Sequence, residues 1–490
     1  MESDMSIEML VATCEREQLH LSGHIQPFGA LLRLDRTTDV VTHVSANLER
    51  FLPLTIADTL GQPAPPLLAS LLRSLPLGQS SLIVRDWIVA GLPGPMDVRL
   101  TGDSRFLLME WEPTTGHSTQ SLKFREYSHP LPALIGAENE LIAYHQALVD
   151  KIRKITQFDR AMIYRFLEDW SGEVIAESTH PDLGSYLGLR FPASDIPAIA
   201  RNLYRLNPYR MIPEANAVPV PILSHDGTPL DLSYSDLRSV SPVHVLYLNH
   251  MGVVASFSVS ILIGGQLWGL VACHHTKPAF LSLQDREECA RLVHDYGLDI
   301  ASSGVNRYLR ILDNLSIKIE EAVKEMASSD HANHKYGKLL ELMDTNGVAL
   351  GLGKELSTFG EIPEPESMAR IEHWFMNDCR ENLFATDHLR GLIGEIGEIE
   401  TNPCGMLAIK VKSPRSGWIR FFWFRNEWVH KVLWAGNPNK PLLEDTTAQS
   451  LSPRRSFEKW VEEKTGYSQP WSNEETIIAG ILRINLLRWL

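Results

Sequence analysis

Residues 251–275, MGVVASFSVSILIGGQLWGLVACHH, carry no formal charge and are long enough to cross a bilayer as a helix. How this segment folds decides what kind of protein the chain can be. Ser256, Ser258 and Ser260 alternate with Phe257, Val259 and Ile261, a period of two. Gly264-Gly265 then interrupts the run at a position suited to a tight turn. The pattern predicts a β-hairpin with one polar-lined face in a soluble protein, and no membrane span.

Size, charge and cysteine content narrow the class further. A chain of 490 residues predicts about three or four domains of ~150 residues each. A net charge of −14 argues against nucleic acid or an anionic membrane surface as partner. The five cysteines, Cys14, Cys273, Cys289, Cys379 and Cys404, include no CxxC pair. That count disfavours a disulfide scaffold or a zinc site and suits a reducing compartment. The opening MESDMSIEMLVATCERE is acidic and lacks the pattern of a signal peptide, so a cytoplasmic location is expected.

Along the chain, residues 24–120 read as short strands (FGALLRLD, VVTHVSAN, DWIVAGL, RFLLMEWEP) with a helical piece near 64–75. A second α+β domain is expected over 130–302. It comprises a helix over 138–156, strands RAMIYRFLED and GEVIAEST, the helix after RFPASD, a long proline-rich loop near 207–230, a helix near 242–251 and the hairpin. Apolar residues at Val305, Leu309, Leu312, Leu315, Ile319, Val323 and Met326 form one helical seam, which predicts a connecting helix over 303–330 and a homodimer packed along it. A third α/β domain is expected over 331–490, ending in a helix over 473–490.

Several side chains carry candidate chemistry. Asp195 lies between prolines in RFPASDIPAIARNLYR, and local signals alone favour an N-cap for Ser194 or Asp195, with Pro197 in the first helical turn. Tyr204, Arg210, Arg238, Ser241, His244, Tyr247, Ser256, Ser258 and His274 form a set of donors within one domain. Taken singly, Arg238 pairs as well with Asp236 or Asp231, and His274 reads as a satisfied residue at a hairpin end. Together they point to a pocket for an elongated apolar ligand bearing carboxylates. Cys14 is either a free thiol or a nucleophile toward an electrophilic ligand.

The blocks CEREQLHLSGHIQPFGALL, FPASDIPAIARNLYR, LRSVSPVHVLYLNHMGV and GGQLWGLVACHH resemble the signature regions of bacterial phytochromes, and VLWAGNP with LSPRRSFEKWVEEKTGYSQPW resembles the tongue of the phytochrome-specific domain. The resemblance covers nearly the whole chain. It implies a multidomain α+β fold: PAS (24–120), GAF (130–302) and PHY (331–490) antiparallel sheets flanked by helices, a tongue at about 430–472, and an N-terminal segment (1–23) threaded as a knot. It implies covalent biliverdin IXα on Cys14, lined by Tyr164, Phe191, Asp195, Ile196, Pro197, Tyr204, Arg210, Arg238, Ser241, His244, Tyr247, Ser256, Ser258 and His274. It also implies a tongue switch built on Trp434, Arg454 and Ser456, and a red/far-red photoreceptor rather than an enzyme. Output would pass to a C-terminal effector or a partner such as a response regulator, since no kinase or cyclase pattern occurs in the chain. Phe28 departs from the family, which often has His in IQPHG. A haem- or ligand-sensing GAF protein using His244 or His274 is the alternative. A bilin reductase is disfavoured, because no nicotinamide fingerprint or iron–sulfur cysteine cluster occurs.

Overall fold

The computed structural model describes residues 18–74, 81–91, 94–115, 138–328, 340, 343–392, 402–413, 417–438, 444–445, 450–451 and 457–489. The expectations placed on Cys14, Arg454, Ser456 and the knot's first 17 residues lie outside them, as does the helical seam beyond Val305, since only backbone is described over 306–328. The chain divides into two compact units, residues 1–303 with 433–460, and residues 304–432 with 461–490.

In the first unit the strands run in chain order β1 (His24–Ile25), β2 (Ala30–Asp35), β3 (Val40–Ser45), β4 (Ser81–Trp87), β5 (Met96–Gly102), β6 (Phe106–Pro113), β7 (Arg160–Phe166), β8 (Gly172–Thr179), β9 (Arg190–Phe191), β10 (Tyr209–Ile212), β11 (Val220–Ser224), β12 (Ala255–Ile263) and β13 (Gln266–His275). One sheet has the order β1-β11-β3-β2-β6-β5-β4, and a second contains β10-β12-β13-β7-β8-β9. Thus β11, from the expected second domain, is seated between two strands of the first, with Ile25 opposite Val220 and Ile222 opposite Ser45.

Buried charges reinforce that junction. Arg286, fully buried at the start of the helix Leu283–Ser328, pairs with Glu112 of β6 and lies 3.5 Å from Asp236. Arg99 of β5 pairs with Asp236 at 3.0 Å and with Glu287 at 3.1 Å. Shared strands and shared ion pairs leave no separable surface between the two expected domains, so they form a single unit.

Three local expectations are corrected. The strand expected at DWIVAGL lies earlier, at Ser81–Trp87: its register shifts after Val84, Asp86 takes a φ of 51°, and the ladder closes at Trp87 opposite Met96. The expected loop at 207–230 contains β10 and β11. The connecting helix begins not at 303 but at Leu283, running unbroken to Ser328. No proline interrupts its hydrogen-bond ladder.

The second unit holds an antiparallel sheet in the order β15 (Glu355–Gly360), β14 (Gly347–Leu352), β18 (Gly417–Arg425), β17 (Gly405–Ser413), β16 (Leu383–Thr386). Alternation along β18 separates two cores. Phe421 and Trp423 pack with Ile478 and Leu482 of the helix Asn473–Trp489, while Phe422 and Phe424 pack with Trp374 and Phe375 of the helix Pro365–Asn377. Arg425 ends the strand in a buried hub, donating to the carbonyls of Met343 (2.9 Å), Asp344 (3.0 Å) and Pro470 (3.2 Å) and pairing with Glu475.

Two outcomes test the buried charges of the first unit. Arg286→Met strands Glu112 in the interior, and about 3–5 kcal/mol of stability is expected to be lost in urea denaturation. A loss below about 1 kcal/mol would show that the pair is not buried as described. The second concerns Glu110 of β6, which burial, then the neighbouring Asp236, raises from 4.5 to about 7. Because the folded value lies above the unfolded one, this group's contribution is complete below about pH 4.5 and is lost as pH rises through about 7. Glu110→Gln is expected to flatten the fall in stability across that window; an unaltered slope would contradict the assignment.

Candidate phytochrome chromophore pocket

The sheet of β7, β10, β12 and β13 has two chemically distinct faces. Tyr209, Met211, Phe257, Val259, Val271, Cys273, Ala161 and Ile163 point into a core closed by the helices Glu138–Thr156 and Leu283–Ser328. The intervening residues point the other way, since side chains alternate along a strand. In that second layer Arg210 lies opposite Ser258, and Ser258 opposite Ala272. Ser256 lies opposite His274, and His274 opposite Arg160. Ser256 and Ser258 of β12 therefore floor a cavity, while Ser260 on the same face donates to the Tyr204 carbonyl at 2.7 Å.

That cavity has a volume of about 590 Å³, within the ordinary range for a small-molecule site. Its floor includes Arg210, Ser256, Ser258 and His274 with Met162, Tyr164, Leu270 and Ala272. Phe191, Asp195, Ile196, Pro197 and Tyr204 line it from the segment that leads into the helix Ala198–Leu206. Arg238, Ser241, His244 and Tyr247 line it from the approach to, and first turns of, the helix Pro242–His250. Every expected lining residue within the described part of the chain thus meets this one cavity.

Two neighbouring guanidinium groups stand in its wall. Arg210 donates to the carbonyls of Asp236 (3.1 Å), Ser239 (3.0 Å) and Arg238. Burial, followed by Arg210 itself, lowers Arg238 from 12.5 to about 9, and its buried Nη1 has no hydrogen-bond partner among the described residues. Among the described residues neither arginine forms an ion pair with a carboxylate, so the pairing of Arg238 with Asp236 or Asp231 is not found; Asp236 is taken by Arg99. A buried cation without an anion is costly, and two together favour a ligand that brings carboxylates.

Elsewhere the cavity is largely apolar and aromatic, with the Asp195 carboxylate in its wall. Burial, then Arg210, lowers His244 to about 4; burial, then Arg160 and His244, lowers His274 to about 3. Both imidazoles are uncharged at neutral pH, and the buried Nδ1 of His274 has no hydrogen-bond partner among the described residues. Tyr164 and Phe191 pack at 5.8 Å, and Tyr247 stacks on His244 at 6.0 Å and meets Phe457 edge-on at 5.2 Å.

Asp195 is not a helix cap. It closes a short 3-10 turn, Ala193–Asp195, and Pro197 rather than a side-chain acceptor occupies the N-cap position of the following helix. Its carboxylate accepts the Tyr247 hydroxyl at 2.9 Å. Trp434 lies opposite Arg190 in a parallel rung between β9 and β19 (His430–Ala435). Phe28 does not reach the cavity; it packs edge-on against Phe280 at 5.5 Å. Sequence reasoning missed the apolar floor at Met162, Leu270 and Ala272, although period-two alternation from Tyr164 and His274 leads to them. It also missed Gln18 and His24, which line the cavity from the N-terminal side.

Among the described residues, no group of His, Cys, Asp and Glu is arranged to hold a metal ion, and no helix is long and apolar enough to cross a membrane.

Residues 14–113 match the family described as PAS fold, 140–295 the GAF domain and 316–490 the phytochrome region. The chain is 34% identical to cyanobacterial phytochrome B of Nostoc sp., covering 98% of this chain and 66% of that protein. It is 31% identical to a bacteriophytochrome of Xanthomonas campestris pv. campestris, covering 96% of this chain and 77% of that one. It thus spans about two thirds of the length of the first relative. Among solved structures, the photosensory core module of the Stigmatella aurantiaca phytochrome superposes with a TM-score of 0.81 at 32% identity, covering 97% of each chain. These matches, and the cavity that the middle region encloses, show that the chain belongs to the phytochrome family, as a PAS-GAF-PHY photosensory module.

Proposed function

We propose that this module is a red/far-red photoreceptor that binds biliverdin IXα covalently through Cys14 and switches by ring D isomerisation coupled to tongue refolding and helix rearrangement, with the contacts of Asp195 exchanged between the two states. The observation that carries this reading is the adjacent guanidiniums of Arg210 and Arg238 in the wall of a largely apolar cavity, neither of them paired to a carboxylate among the described residues. A linear tetrapyrrole with two propionates matches that distribution of charge. When bound, biliverdin supplies the red absorption and the double bond whose isomerisation light drives.

The residues divide the work. Arg210 and Arg238, with Tyr204, hold one propionate; Ser256, Ser258 and His244, with Ser241 nearby, hold the other or a central water. Tyr164, Phe191 and Tyr247 cage the terminal ring D, and neutral His274 hydrogen-bonds its carbonyl. Ile196 and Pro197 hold the Asp195 backbone carbonyl toward the pyrrole N–H groups, while the Asp195 carboxylate exchanges partners between Tyr247 and Arg454 of the tongue. Trp434 and Ser456 belong to the same tongue. Such an exchange is a two-state element, and a few kcal/mol is enough to set which state is populated. Signal then passes along the long helices of a homodimer to an effector or a response regulator.

Cys14 is favoured as the linkage because it lies in the block that resembles the family's attachment segment, ahead of the first domain; burial raises the thiols of Cys273, Cys289 and Cys404, which suppresses their reactive thiolates.

Incubation with biliverdin is expected to give a red absorption band that light converts. A Soret band with haem and no red band with biliverdin would overturn the assignment. Cys14→Ser is expected to lose zinc-induced fluorescence on a denaturing gel; a persisting band would place the linkage on another cysteine. Arg454→Ala should bind biliverdin and absorb red light yet fail to hold the photoproduct, and Asp195→Ala should be impaired more deeply. Wild-type spectra and dark reversion in Arg454→Ala would refute the exchange.

A further inference from the structure

The segment 235–239 carries Arg238 into the cavity and is gripped from two sides. On the cavity side Arg210 donates to its carbonyls. On the far side stands Glu110 of β6, 4% exposed and absent from the cavity wall. Its carboxylate accepts the Ser235 hydroxyl at 2.5 Å, the Leu237 amide at 3.1 Å and the Asp236 amide at 3.4 Å. The Ser235 oxygen in turn accepts the amide of Arg238 at 3.1 Å. Three donors therefore converge on one carboxylate, and the next link in the chain of hydrogen bonds is the backbone of the cavity's own cation.

We propose that Glu110 is a positioning residue of the first sheet that holds Arg238 in place to receive a carboxylate of the ligand. The segment lies outside regular secondary structure, so its amides need acceptors from elsewhere. The two carboxyl oxygens of Glu110 meet two amides and a hydroxyl at once, donors that would otherwise be buried without partners. The role is specific: Glu110 acts on the carboxylates of the ligand and not on its apolar rings. The inference rests on the bilin reading above.

The test compares two ligands, biliverdin and its dimethyl ester, which lacks the free carboxylates. The full chain carrying Cys14→Ser is titrated with each, so that binding stays non-covalent and is read from the red band. Glu110→Ala in that background is expected to weaken biliverdin by about tenfold or more, and the ester by less than about twofold. Glu110→Gln, which keeps an acceptor, is expected to recover most of the loss. In an Arg238→Ala background Glu110→Ala is expected to cost nothing further. Equal weakening of both ligands would overturn the proposal in favour of a general structural role, and so would no weakening of either. Should Glu110→Ala fail to fold, Ser235→Ala carries the same comparison with a smaller selective loss expected. If the parent takes up neither ligand with red absorption, the bilin reading fails and this inference with it.

Discussion

The first unit depends on β11. Val220–Ser224 leaves the neighbourhood of the cavity, enters the first sheet between β1 and β3, and returns to the segment that carries Arg238. Because the strand is hydrogen-bonded on both sides, it cannot be withdrawn without leaving two ladders unpaired in a partly buried sheet. The ion cluster of Arg99, Glu112, Asp236 and Arg286 has meaning only on that foundation, since its members come from β5, β6, the 235–239 segment and the long helix. Desolvated charges of this kind tolerate little displacement, which makes the junction a defined geometry rather than a flexible seam.

The cavity follows from the same economy of elements. One sheet serves two purposes: its inward face builds a core against two helices, and its outward face presents arginine, serine and histidine to a ligand. A strand's alternation gives such a division without additional secondary structure. The electrostatics are then set by depth. Arginines retain their charge when buried, whereas the histidines lose theirs, so the cavity combines a cationic patch with uncharged imidazoles and the Asp195 carboxylate.

How far this was readable beforehand depended on whether the signal was local. The hairpin of β12 and β13 was legible because alternation and a Gly-Gly turn are properties of adjacent residues. The lining set was named through resemblance of whole blocks, since nothing in the spacing of Arg210, Arg238 and His274 brings them to one sheet face. Asp195 was misread from its surroundings. A proline's fixed φ suits the extended N-cap position it takes here at Pro197 as well as the first helical turn. β11 was hidden because VPVPILS carries prolines that argue against a strand with neighbours on both sides. Glu110 had no sequence signal at all: its partner Ser235 lies 125 positions away.

The placement of β11 also bears on how the chain emerges during synthesis. The first sheet lacks one of its inner strands until residues 220–224 have been made, about a hundred residues after β6. At typical elongation rates of about 5–20 residues per second, that interval lasts from roughly five to twenty seconds. Throughout it β3 is an open edge, the kind of surface that pairs with other chains. His43, the β3 residue opposite Ser224 in the finished ladder, and Thr42 beside it place polar groups on that edge while it waits. The nascent chain is thus most exposed to misassembly before its ligand-binding region is complete.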